Sequence, residues 1–372
     1  MSAPPRVSTR EILIHERIGE LRAALLDRGR VVDLRLERWS DHDSRARWGQ
    51  VLAGRVSHVE HRLAGAFIEI GAAQPAFCPW GREKPELLRV GQAVAVRVVR
   101  EAEPDSAADA QKGATVVLEG EAPAGAPCPS LLEDVPPWHG WPGEPREAEG
   151  EEIELIEAAF DAMLSVEAPI PGGGRLTIET TRALTAIDVD AAGRQSGGRD
   201  PARFARDLNL AAVPEIVRQL RLRSIGGLVC VDFTGPRRRG DAEALTKALV
   251  AAFDAEANGG VAAPKTEVLP VSRFGIAEIA RQKRRPPLRA RLVGPDGQPS
   301  AETVALEGLW KLQQALGRAR GRTVVLAAPP QALAWLAADS IGWRAEIAGS
   351  VGGTHVLEAA PAGARACEVF ER

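Results

Sequence analysis

Two apolar runs decide the reading of this chain: LTAIDVD at residues 184–190 and GGLVCVDF at residues 226–233. Both are short, rich in β-branched residues and end in aspartate, the pattern of buried strands. Strand side chains alternate faces, so Asp188 and Asp190 point the same way, one strand step apart. Asp232 sits at the carboxyl end of the second run. If the two strands are neighbours, three carboxylates converge at one sheet edge. Such a cluster is costly unless a cation or shared protons neutralise it. Hard oxygen ligands with waters to spare suit Mg2+ or Mn2+.

Working outward from this pair, the residues between the runs read as a helix. Asp200 is an N-cap with Pro201 at the first helical position, and an amphipathic stretch with Ile216, Val217 and Leu220 continues to Arg223. Gly226 and Gly227 end it. A second helix is expected from Asp241, its cap, with Leu245, Leu249, Ala252 and Phe253 on the buried stripe, and a strand over residues 266–271. A third runs from Glu151 to Ser165 with Ile153, Ile156, Phe160 and Leu164 on one side. Helices alternating with strands predict an α/β catalytic domain over residues 151–292.

The flanks read differently. Residues 11–15 and 31–37 alternate as strands of an antiparallel sheet, with a turn at 27–30, so residues 1–48 are expected to pack on the catalytic domain. Residues 49–119 hold five short strands with glycines at the turns, which suggests a small barrel, the OB-fold being the commonest that binds nucleic acid. Residues 120–150 carry seven prolines and no apolar period, and read as a linker. Residues 293–372 form a small α/β domain, beginning with a helix whose stripe is Leu306, Leu309, Trp310 and Leu316, interrupted by Gln313. Strands at 323–327 and around 355–357 follow.

Composition excludes several classes. With 372 residues, 45% hydrophobic and 26% charged, the chain is an ordinary globular protein of two or three domains. No apolar run reaches membrane-spanning length and the start lacks a signal-peptide core, so a cytoplasmic protein without membrane contact is expected. Four scattered cysteines form no C-x-x-C pair, which argues against disulfides and structural zinc. The six histidines lack metal-ligand spacing and read as structural. A net charge of −3 means that any nucleic-acid site must be local. One stretch qualifies: residues 270–291 hold seven Arg or Lys against the single acid Glu278. A solvated helix end could look like this, but an RNA-backbone track accounts better for so strong a bias.

The blocks TTRALTAIDVDAAG, QLRLRSIGGLVCVDF and SRFGIAEIARQKR, in this order and spacing, resemble the catalytic domain of the ribonuclease E/G family. The resemblance implies a mixed sheet of the RNase H-like or DNase I-like kind. It also implies a Mg2+-dependent endoribonuclease that hydrolyses single-stranded RNA, leaving a 5′-phosphate and a 3′-hydroxyl. Asp188 and Asp232 match the family's two metal-binding aspartates, while Asp190 stands where asparagine is usual and could add a third contact. Arg273 and Arg281 fall nearest the metal by family position, with Lys283 and Arg284 continuing the RNA track and Arg237, Arg238 and Arg239 able to add to it. The block LAGRVSHVEHRLAGAFIEIGAAQPAFCPW is similar to the family's amino-terminal OB-fold. There Phe67 and Phe77 match base-stacking positions, and Lys112 matches a basic one. Aromatics at strand spacing are ordinarily core; the resemblance favours stacking. Two family features are missing: the domain that senses the 5′-monophosphate end, and the C-P-x-C zinc loop, whose place holds RPPLRARLVGPDGQP. A homodimer, if formed, is therefore not bridged by zinc. The alternative function is a non-catalytic RNA-binding protein derived from the same family.

Overall fold

An antiparallel meander opens the fold: β1 (Arg10–Arg17), β2 (Glu20–Asp27) and β3 (Arg30–Arg38). The turn between β2 and β3 has Arg28 and Gly29 both at positive φ, the backbone of a two-residue hairpin turn. At the other turn, Gly19 has φ +82°, and a Cβ there would lie 2.5 Å from Leu306 and 2.6 Å from Ile341, so only glycine fits. The computed structural model describes residues 10–41, 46–72, 74–80, 88–104, 111–119, 144–194, 197–198, 200–235, 238, 240–258, 263–319, 321–350 and 353–372.

Next, β4 (Val51–Glu60), β5 (Gly65–Glu69), β6 (Ala76–Pro79), β7 (Ala93–Arg100) and β10 (Thr115–Glu119) close into a five-stranded barrel in the order β10-β6-β5-β4-β7. Val56, Ala66, Ile68, Ala76, Cys78, Val96, Val98 and Val116 fill it. A two-stranded ribbon, β8 (Glu103–Pro104) with β9 (Gln111–Lys112), stands outside the barrel. Most of the expected linker, residues 120–143, lies outside the described residues. Its end is not linker: β11 (Arg146–Glu147) pairs in parallel with β1, and Ala148 is buried.

Helix α1 (Glu151–Leu164) buries Ile156, Phe160 and Met163 against the meander. The central sheet then assembles from β12 (Glu167–Pro169), β13 (Arg175–Thr180), β14 (Leu184–Asp190), β15 (Gly227–Asp232), β16 (Thr266–Val268) and β17 (Ile276–Arg281), in the order β12-β13-β14-β15-β17-β16. Its parallel pair is β14 with β15. Helix α2 (Pro201–Leu222) makes that crossover and packs Leu208, Ala212, Val213, Ile216 and Leu220 on the sheet. Asp200 caps it as expected, accepting from the Arg203 amide at 2.9 Å. Helix α3 (Asp241–Asn258) adds Leu245, Leu249 and Phe253. Asp241 differs slightly from a simple N-cap: its carboxylate accepts from the Arg238 amide in the preceding loop. The strand expected over 266–271 stops at Val268, and the basic stretch read as a track contains β17, whose alternating buried Ala277 and Ile279 were masked by the charges around them.

After the short α4 (Leu288–Leu292) comes a small α/β unit: α5 (Ala301–Leu316), β18 (Thr323–Ala328), α6 (Pro330–Ala338), α7 (Trp343–Ser350), β19 (Thr354–Ala359) and β20 (Glu368–Glu371). The sheet order is β19-β18-β20, β20 being a strand the sequence pattern did not reveal. Leu312, not Gln313, continues the buried stripe of α5, and Trp310 is half-buried, facing the meander beneath the Arg17 guanidinium. The architecture is mixed α/β with a strand-rich amino-terminal half. Among the described residues no helix is long and apolar enough to cross a membrane.

One ionic cluster joins the meander to both helical layers. Glu20, 1% exposed, accepts from Arg17, Arg22 at 2.7 Å and Arg38 at 2.9 Å. Arg22 continues to Glu157 of α1, and Arg38 to Glu302 of α5 at 2.7 Å. Burial alone would raise the Glu20 pKa; Arg22, Arg38 and Arg17 outweigh it and hold the carboxyl far below its ordinary range. Removing one member of such a buried cluster leaves uncompensated charge, so Glu20→Gln should lower the unfolding free energy by about 3–5 kcal/mol. Because the folded pKa is depressed, this contribution is complete above the unfolded value of about 4.5 and fades as pH falls below it. Urea unfolding at pH 7 and pH 3.5 should therefore show a smaller gap between the two proteins at the lower pH; an equal gap contradicts the assignment.

Candidate active site

Parallel pairing of β14 with β15 sets Asp188 directly opposite Asp232. Their chain neighbours Ile187, Val189 and Val231 are buried in the core, so strand alternation turns both aspartates outward to solvent. Among the described residues neither carboxylate accepts a side-chain hydrogen bond. The Asp188 carboxyl is pushed above its ordinary value by partial burial and by the charges of Asp232 and Asp190. Two adjacent carboxylates that repel each other are a donor set that a small divalent cation fits.

Asp190 lies on the same face but is otherwise engaged. Its Oδ2 pairs with Arg175 of β13 at 3.1 Å and its Oδ1 accepts from the Ala192 amide at 3.0 Å. The amide hydrogen bond first, and Arg175 after it, hold its pKa below the usual value. Among the described residues no group of three or more His, Cys, Asp or Glu is arranged to hold a metal, so the pair Asp188 and Asp232 stands without Asp190.

The segment just past Asp232 is clamped from two sides. Asn209, buried within α2, donates to the Thr234 carbonyl at 3.0 Å and accepts from its amide at 3.2 Å. Opposite, Asp232 pairs with Ile276, and the Phe233 amide donates to the Gly275 carbonyl. A tight turn at 272–275 is thereby held beside the carboxylates, with Ser272 Oγ accepting from the Phe274 and Ile276 amides. This turn presents Arg273 and Phe274 to solvent: Phe274 is 68% exposed and the Arg273 guanidinium sits 4.8 Å over its ring. No carboxylate among the described residues pairs with Arg273.

The rest of the basic stretch makes contacts with distant segments. Arg281 is 4% exposed and donates twice to Glu256 of α3, each at 2.7 Å, and to Thr266. Lys283 pairs with Glu103 at 3.4 Å. Arg284 lies over the Trp48 ring and donates to the Ala263 carbonyl. Arg285 pairs with Glu101, Arg289 donates to the Leu164 carbonyl, and Arg291 engages Asp41. Of the three residues expected to line an RNA path, Arg281 is buried on Glu256, while Lys283 and Arg284 stay partly exposed and contact neighbouring segments. Charge repulsion along the chain is relieved by acids and carbonyls from distant segments. Arg238 pairs with Asp200; Arg237 and Arg239 lie outside the described residues.

On the barrel, Phe67 and Phe77 are cross-strand neighbours, ring centroids 5.4 Å apart, on the outer face. Both are half-buried and neither belongs to the barrel core. The Phe77 ring lies against Gly65, where a Cβ would come within 2.4 Å of it. A bulge between Val56 and His58 brings exposed His58 opposite Phe67, and the rings stack at 6.3 Å. His61 meets Trp80 edge-on at 5.4 Å. Lys112 falls in β9, and its side chain is outside the described residues.

Residues 149–284 match the profile of the Ribonuclease E/G family. The likeness to the ribonuclease E/G family is confined to this segment. The chain is 37% identical over 136 residues to "Ribonuclease E" of Haemophilus influenzae, covering 36% of this chain and 14% of that protein. It is 35% identical over 133 residues to "Ribonuclease E" of Escherichia coli, covering 36% and 12%. Against "Ribonuclease E/G-like protein, chloroplastic" of Arabidopsis thaliana it is 33% identical over 132 residues, covering 35% and 13%. The chain thus spans only a small part of the length of the curated relatives it matches.

The ribonuclease E/G segment contains the carboxylate pair, Asn209 and the Arg273–Phe274 turn; the barrel lies outside it. Asn209, Phe274 and His58 were missed in the sequence. A polar residue on the apolar face of α2 was a usable signal for Asn209, whereas the exposure of Phe274 depends on a turn whose neighbours are distant in sequence. The structural role of Arg281 has a direct consequence. Arg281→Ala leaves Glu256 buried without its partner, at a cost of about 3–5 kcal/mol. Urea unfolding should show that loss, while single-stranded RNA affinity of the folded fraction stays within twofold; a large affinity loss at unchanged stability restores the track.

Proposed function

We propose that this chain is a metal-dependent endoribonuclease that hydrolyses phosphodiesters in single-stranded RNA. The observation that carries the reading is the in-register pair Asp188 and Asp232, exposed, adjacent and without side-chain donors among the described residues. These two carboxylates would hold one Mg2+, or Mn2+ in its place. Such an ion supplies charge stabilisation at a phosphoryl oxygen and a more acidic bound water. Arg175, shared between Asp190 and Glu167, offsets part of the charge that the extra acid brings beside the pair. Arg273 offers a guanidinium to the RNA backbone, and Phe274 a face for a neighbouring base. Water adds to phosphorus and the bond to the 3′-oxygen breaks, leaving a 5′-phosphate and a 3′-hydroxyl. The barrel is read as an OB-fold whose outer ring cluster, Phe67, Phe77 and His58, stacks unpaired bases upstream or downstream of the cut. The printed names of the ribonuclease relatives support this class of activity.

The decisive assay is cleavage of a labelled single-stranded RNA with and without Mg2+. Asp188→Asn and Asp232→Asn should each abolish cleavage and keep RNA affinity within about 1 kcal/mol, because backbone contacts dominate binding. Mg2+ should raise the melting temperature of the wild-type protein and not of either variant. Wild-type turnover in both variants sinks the assignment; RNA binding without any Mg2+-dependent cleavage in the native protein selects the non-catalytic reading.

Phe67 separates binding from packing. Its ring is outside the barrel core, so Phe67→Ala should weaken single-stranded RNA binding by about 1–3 kcal/mol, the range for one stacked base. The melting temperature should change little. A drop in melting temperature with unchanged affinity would show that the ring only packs.

A further inference from the structure

Helix α2 grips the chain at three successive residues beyond Asp232. Phe233 is 1% exposed and belongs to the core of the central sheet and its helices. Thr234 is held by Asn209, whose side-chain amide donates to its carbonyl at 3.0 Å and accepts from its backbone amide at 3.2 Å. Gly235 has φ +79°, and a Cβ there would lie 2.5 Å from that of Ala205, so its backbone rests directly on the helix. Ala205 and Asn209 stand one turn apart on the same face of α2.

An asparagine is a costly residue for this place. Asn209 is 1% exposed beside Leu208, Ala212 and Val213, where an apolar side chain would avoid burying an amide. What it offers is a donor and an acceptor on one short side chain, the same pair that a peptide group presents. The ladder of β15 ends at Asp232, opposite Ile276, with one further bond from the Phe233 amide to the Gly275 carbonyl. Asn209 then supplies both backbone partners of Thr234, the next residue.

The grip matters because Asp232 is the last residue of its strand and lies in register with the like charge of Asp188. Strand ends are where local opening starts, and repulsion within the pair favours it. Fixing the three following residues on α2 denies the carboxylate that escape. The pair is therefore held in register before a cation arrives, and binding does not have to order it.

We propose that Asn209 is a positioning residue: by fixing Thr234 it presets Asp232 opposite Asp188 and sets how tightly the pair takes up a divalent cation. The inference rests on the reading of that pair as the metal site and adds to it a residue that acts through the backbone.

Mn2+ titration of the full chain, read from the EPR signal of the free ion, tests it without RNA. Asn209→Leu keeps the branched shape and removes both hydrogen bonds. It should bind Mn2+ about tenfold more weakly, or worse. Half-saturating Mg2+ for cleavage should rise by a similar factor, with activity recovering at high Mg2+. Val213→Ala, on the same helix face, opens a cavity; it should melt lower yet keep the wild-type Mn2+ affinity. Asn209→Ser retains a hydroxyl too short to reach both partners. It should shift the affinity in the same direction, and it carries the test if Asn209→Leu does not fold. The positioning role is overturned if the folded Asn209 variants bind Mn2+ like the wild type, or if Val213→Ala weakens binding as much as they do. It is also overturned if neither Asn209 variant folds, which makes the amide structural. A wild-type protein that binds Mn2+ no better than Asp188→Asn removes the metal site itself, and the positioning role with it.

Discussion

A single buried carboxylate organises the assembly. Glu20 lies at the start of β2, out of water, and is tolerable there only because Arg17, Arg22 and Arg38 surround it. Those arginines then reach outward, Arg22 to Glu157 on α1 and Arg38 to Glu302 on α5. His15 adds a hydrogen bond to Glu157 and an edge contact with Trp310. The charges are thus satisfied only when the meander, α1 and the carboxyl-terminal unit are all in place. Hydrophobic burial supplies the larger driving force, but it is non-directional; the cluster specifies which surfaces meet.

A second constraint acts on the central sheet. Adjacent parallel strands need a crossover, and α2 provides it between β14 and β15. Parallel pairing brings the same end of each strand to the same edge, which is why two aspartates at strand ends become neighbours at register partners Asp188 and Asp232. An antiparallel pairing of the same two runs would have sent them to opposite edges. The Asn209 clamp and the 272–275 turn then hold the chain immediately beyond the pair.

Charge on this protein is spent mostly on architecture. The stretch from 270 to 291 is strongly basic, yet its arginines and lysine distribute themselves among Glu256, Glu103, Glu101, Asp41 and backbone carbonyls. They join β17 and α4 to the barrel ribbon, α3 and the meander. What stays available at the carboxylate edge is Arg273 with Phe274.

The sequence by itself determined the local elements and the identity of the acidic pair. Alternation located β1, β3, β14 and β15, helical stripes located α1, α2, α3 and α5, and glycines at the turns marked the barrel strands. These signals are local, because strand and helix periods are properties of neighbouring residues. The three motif blocks pointed to Asp188 and Asp232 for the same reason. Tertiary structure decided the rest. It alone settled that Asp190 turns to Arg175, that Arg281 is buried on Glu256, and that a bulge sets His58 against Phe67. Each depends on a partner far along the chain, and a side chain's charge or ring does not say which partner it will meet. Burial converts a basic residue from a surface contact into a structural one, and burial is a property of the fold.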